Sequence, residues 1–137
     1  MKHFASFAIA ALLACATAPA FAEQDKVTTT PVHFSKGASS TTLRGAVKGY
    51  DSARYTLSAR AGQTMRVSIT GSSNANFNVF APGDVPGAAT AIGSGAVGQD
   101  WNGTLPTNGT YTVQVYQMRA SARRGQNAAY NISFGIH

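Results

Sequence analysis

The chain carries one cysteine, Cys15, and it falls within the first 22 of 137 residues. Small exported domains often lean on disulfides. A lone thiol cannot close a bridge within its own chain, so packing and sheet hydrogen bonds must hold this fold. Acids are also scarce, at five: Glu23, Asp25, Asp51, Asp84 and Asp100. Beyond the first 22 residues the histidines are His33 and His137. A hydrolytic site needs a nucleophile with its base, paired carboxylates or metal ligands. None of these residues is spaced for such work, and no Asp/His group has metal-ligand spacing. The reading is therefore not an enzyme, with no cofactor and no metal, and function is expected in a binding surface. The sequence also lacks an apolar helical period, and no apolar run is long enough to span a bilayer.

The longest apolar run, Phe4 to Ala14, follows the basic start "MKH" and precedes "AFA" at Ala20 to Ala22. This is the pattern of a secretory signal peptide over 1–22, cleaved after Ala22. It leaves 23–137 as a single domain, which buries about two thirds of its surface. "LLAC" at Leu12 to Cys15 loosely resembles a lipobox, which would place a lipid anchor on Cys15. Leu13 fits that motif poorly, and cleavage after Ala22 is the preferred reading. Removing Lys2 from the 11 basic residues leaves 10 against 5 acids, a net charge of +5. An exported chain without a basic-and-aromatic base-reading motif is not expected to bind nucleic acid. An anionic surface or an acidic cleft on another protein remains open.

What is abundant is Thr, Val, Tyr, Gly and Asn in short alternating runs. Strands are expected over 26–34, with Pro31 marking an edge or a break, and over 41–49, 54–59, 64–70 and 76–83. Further strands are expected near Ile92, at 111–116 and at 130–136. The runs 54–59 and 64–70, joined by "AGQ", are expected to form a hairpin. Asn102-Gly103 and Asn108-Gly109 are read as turns. Trp101 is read as core or rim packing rather than a sugar platform. One apolar face per strand marks an antiparallel sheet covered on one side. The economical fold is all-β, a two-sheet antiparallel sandwich of seven to nine strands.

Between the last two strands runs "YQMRASARRGQN", 116–127, about twice the usual hairpin length and free of acids. Arg119 and Arg123 are four apart, so they share a side whether the segment is helical or extended; Arg124 points elsewhere. Guanidinium groups pair with carboxylates in a bidentate way and lose less than lysine on desolvation. Such a pair suits a concave acidic pocket. The plainer alternative is a solvated loop whose charges only confer solubility.

The chain resembles the periplasmic inhibitors of g-type (goose-type) lysozyme of Gram-negative bacteria. The similarity runs through Phe34 to Ser40, Lys48 to Asp51 ("KGYD"), Tyr55-Thr56, Gly62-Gln63, Val67 to Ile69 and Phe80 to Gly83. It continues through Leu105 to Tyr111, Gln117 to Arg123 ("QMRASAR") and Tyr130-Asn131. "KGYD" and the "Q-x-R-x-x-A-R" pattern are its specific part, and 84–102 match nothing in it. The resemblance implies a prepeptidase C-terminal-like β-sandwich in the periplasm, whose loops plug a g-type lysozyme's substrate cleft. It implies that Tyr50, Arg119 and Arg123 bind the lysozyme. Asp51 either orients an arm arginine or forms the turn, and Arg124 is a possible support. The arm ends "RRGQNAAY" where the family is expected to hold more lysine. The alternative function is a non-catalytic carbohydrate- or surface-binding β module.

Overall fold

The computed structural model describes residues 25–137. The expected leader, its cleavage site and Cys15 lie outside the described residues. Nine strands and one short helix follow in order: β1 (Val27–Pro31), β2 (Ser40–Lys48), β3 (Ser52–Ala59), β4 (Thr64–Gly71), β5 (Ala75–Phe80), β6 (Gly93–Ala96), β7 (Trp101–Thr104), β8 (Gly109–Gln117), α1 (Arg119–Arg123) and β9 (Asn127–Ile136). They build a five-stranded sheet in the order β1-β3-β8-β5-β6 and a four-stranded sheet in the order β2-β9-β4-β7. All pairs are antiparallel except β1 with β3, which is parallel.

The alternation places one face of each long strand in the core. Leu57, Phe77, Val79, Tyr111, Val113 and Val115 face inward from the larger sheet, and Met65, Val67, Ile69, Ile132 and Phe134 from the smaller. Tyr55 and Phe134 meet across the gap with ring centroids 5.4 Å apart and a 48° tilt, in the favourable range for aromatic pairs. Trp101 packs against this core. Its indole lies where a side chain on Gly93 or Gly103 would stand, at one edge of each sheet. The Tyr111 hydroxyl donates to Thr107 O at 2.7 Å and accepts from Thr107 N at 3.2 Å, which closes the turn before β8, as tyrosine corners do in other sandwiches.

Three expectations change. β3 and β4 do not form a hairpin: β3 pairs with β1 and β8, and β4 pairs with β7 and β9 in the other sheet. Alternation reports that each strand has one buried face. It does not report whether successive strands lie side by side or face each other across the core. The last two long strands, β8 and β9, likewise belong to opposite sheets, so 118–126 is a crossing and not a hairpin loop. Spanning the gap does not require its length, since other connections cross in three or four residues; the extra residues form α1. Asn102-Gly103 lies inside β7, not in a turn.

The Tyr55 and Tyr130 hydroxyls bond at 2.7 Å inside the core. Burial raises the pKa of both, and for Tyr130 the Tyr55 partner raises it further. A raised folded-state pKa holds the proton in the folded chain after the unfolded chain has lost it. The pair's contribution to stability is therefore fully present below about pH 10 and is lost as pH rises beyond it. The unfolding midpoint measured from pH 8 to 12 is expected to drop above pH 10, and Tyr130→Phe should flatten that fall. An equally steep fall in Tyr130→Phe would show that the pair does not control it.

Candidate functional site

Among the connections that cross between the sheets at one end of the sandwich, two carry the candidate residues. β2 leaves the smaller sheet and enters β3 of the larger through Gly49–Asp51. β8 leaves the larger sheet and enters β9 of the smaller through Met118–Gln126. Registers that pair Lys48 with Asn127 and Ala53 with Val115 bring them side by side. Gly49 N donates to Gln126 O at 2.9 Å and ties one to the other.

The first crossing is a tight turn closed by Asp51 N to Lys48 O at 2.9 Å. Gly49 takes φ +56° within it, a left-handed conformation that favours glycine. The next residue, Tyr50, is pushed out of the fold and is 50% exposed. Asp51 does not orient the arm: its Oδ1 accepts from Lys26 N at 2.8 Å and pins the start of β1.

The second crossing carries α1, a single helical turn. Met118 O accepts from Ser121 N at 3.0 Å and Ala122 N at 2.9 Å, and Gly125 N closes the other end on Ala122 O at 2.9 Å. Ala122 is its buried anchor. The helical alternative for the arm is the one realised, so Arg119 and Arg123 lie one turn apart on the same side. Both are exposed, with no hydrogen bond or ion pair among the described residues. Arg124 is spent locally: its Nε donates to Ala120 O at 3.0 Å. Sequence reasoning separated the pair from Arg124 for this geometric reason. It missed Met118, 56% exposed beside the pair, which no periodicity marks.

It also missed the role of Gln117, the buried residue at the end of β8. Its Nε2 donates to Gln126 O at 2.5 Å, and reaches Val47 O at 3.3 Å and Gly49 O at 3.4 Å. Its Oε1 accepts from Asn74 Nδ2 at 2.6 Å. Ser72 Oγ in turn donates to Asn74 Oδ1. One buried amide thus touches the Tyr50 turn, the arm and the β4–β5 connection. His33 and His137 are exposed and stand apart from this end.

The chain is similar to known proteins in sequence and fold. The family model of the bacterial pre-peptidase C-terminal domain matches residues 51–117. The chain is 34% identical over 125 residues to the inhibitor of g-type lysozyme from Escherichia coli, covering 91% of each. The crystal structure of Aeromonas hydrophila PliG, a periplasmic inhibitor of g-type lysozyme, aligns with TM-score 0.81 and 57% identity. It covers 83% of this chain and 100% of that one. Salmonella Typhimurium PliG aligns with TM-score 0.64 and 29% identity, covering 80% of this chain and 98% of that one.

Proposed function

From a chain that belongs to the family of inhibitors of g-type lysozyme, we propose a periplasmic protein that binds a g-type lysozyme and closes its substrate cleft, without catalysis of its own. The observation that carries the mechanism is the pairing of the two crossings. Tyr50 from one and Arg119 with Arg123 from the other project from the same end of a rigid sandwich. Glycan hydrolysis by lysozymes depends on a carboxylic acid in a cleft. A guanidinium pair brought to that acid forms charge-assisted bonds, excludes water and occupies space meant for sugar. Tyr50 supplies a flat apolar contact with a hydroxyl at its tip, the kind of group that dominates interface energies.

Titration of the 23–137 fragment against one lysozyme each of c-, i- and g-type tests this. Near-stoichiometric loss of cell-wall lysis is expected with the g-type enzyme. Tyr50→Ala is expected to weaken it about thirtyfold, or ~2 kcal/mol, without changing the unfolding midpoint. Unimpaired lysis at excess inhibitor would refute the reading.

One observation favours the carbohydrate-binding alternative. A groove of about 460 Å³ beside Tyr50 is lined by Tyr116, Asn78 and Gln114, aromatic and amide groups suited to sugar. Retention of the fragment on purified peptidoglycan without lysozyme, lost in Tyr116→Ala and kept in Arg119→Ala, would support it.

A further inference from the structure

We infer that Gln117 is a positioning residue for inhibition: its buried amide holds the Tyr50 turn and the arginine arm in fixed relation. The inference rests on the proposed reading of that surface as the lysozyme contact and goes beyond it to a group that touches no partner.

The geometry is specific. Gln117 is 5% exposed, so it cannot meet another protein directly. Its Nε2 faces three carbonyls, Val47, Gly49 and Gln126, and its Oε1 faces the Asn74 amide. The opposite amide orientation would set Oε1 against those carbonyls. Every bond in the chain from Ser72 through Asn74 and Gln117 to Gln126 donates in the same direction, an arrangement in which each bond polarises the next. Gly49 precedes Tyr50, and Gln126 closes the arm that begins at Met118. The one direct backbone tie between the crossings, Gly49 N to Gln126 O, ends on the carbonyl that Gln117 also holds. Losing the amide would free that carbonyl to move and leave other buried polar groups unpaired, which buried groups resist strongly. The two crossings would then sample a range of spacings, and binding would have to select one.

Gln117→Leu and Asn74→Ala, assayed against g-type lysozyme with concentrations corrected for folded fraction, test this. Inhibition is expected to weaken about tenfold for Gln117→Leu and about threefold for Asn74→Ala, mainly through faster dissociation. In the free protein, hydrogen exchange at Gly49 N–H should quicken while Val113 in the core stays protected. Gln117→Leu combined with Arg119→Ala should lose less than the product of the single losses, because a misplaced arm has less for the arginine to contribute. Unchanged affinity in both folded variants, or losses that multiply, would overturn the inference and leave Gln117 a packing residue. Should Gln117→Leu fail to fold, Asn74→Ala decides alone. Failure of the underlying reading looks different: Arg119→Ala with undiminished inhibition removes the arm from the interface whatever Gln117 does.

Discussion

Arg119→Ala and Arg123→Ala are each expected to weaken inhibition by roughly thirtyfold to a thousandfold, on the order of 2–4 kcal/mol. The expectation follows from what the two side chains do in the free protein, which is nothing: both are exposed and unpaired among the described residues. Their removal therefore leaves folding almost untouched, within about 0.5 kcal/mol. In the complex each truncation would strand a desolvated acid of the lysozyme without its partner, and that is where the large cost arises. The double variant should lose less than the sum if the two enter one cleft as proposed. Arg124→Ala is the control. Its guanidinium already caps the Ala120 carbonyl, so its loss should cost inhibition less than about threefold. Inhibition constants and calorimetric midpoints of the same samples decide the matter. Equal losses at all three arginines would mean bulk charge attraction and not a shaped contact.

Gly45→Ala is expected to destabilise the fold by roughly 2–4 kcal/mol and to lower the midpoint by about 10 °C. Gly45 pairs with Tyr130 across the β2–β9 ladder. A Cβ there would stand 2.5 Å from the Tyr130 hydroxyl and 2.8 Å from that of Tyr55. Tyrosine tips usually swing away from such an intrusion. These two cannot, since both rings are buried and their hydroxyls are bonded to each other. The methyl must split that bond, leaving buried hydroxyls unpaired, or force β2 away from β9. Thermal unfolding measures the loss. A midpoint within 2 °C of the parent would show that the ladder yields easily and that the tyrosine pair is not a tight joint.

Much of this fold is legible in the chain because period-two alternation is a direct consequence of strand geometry. Tyr55-Leu57, Met65-Val67-Ile69 and Tyr111-Val113-Val115 read as buried faces and are buried. Sheet membership is another matter. The "AGQ" connection suits a hairpin and serves a crossing, since a short turn between two half-buried strands satisfies either arrangement. The strand near Ile92 comes as Gly93–Ala96, and neither it nor β7 carries a period, since glycines make room there for Trp101. At the site, the fork of Arg119 and Arg123 was legible because four-residue spacing gives a shared side in helix or strand. The clasp at Gln117 was not, since its partners are backbone carbonyls and an amide 43 residues away, which no local pattern records.

The direction of the end strands decides how the molecule can be handled. β1 starts beside the proposed lysozyme contact, with Lys26 fastened to the neighbour of Tyr50. β9 runs away from the arm, and its far end pairs His137 with Thr64 at the opposite pole. A reporter or a bead linkage joined at His137 would leave the proposed contact clear. Cargo fused ahead of Lys26 would crowd it, so sensors and affinity resins made from this protein should be built from the tail.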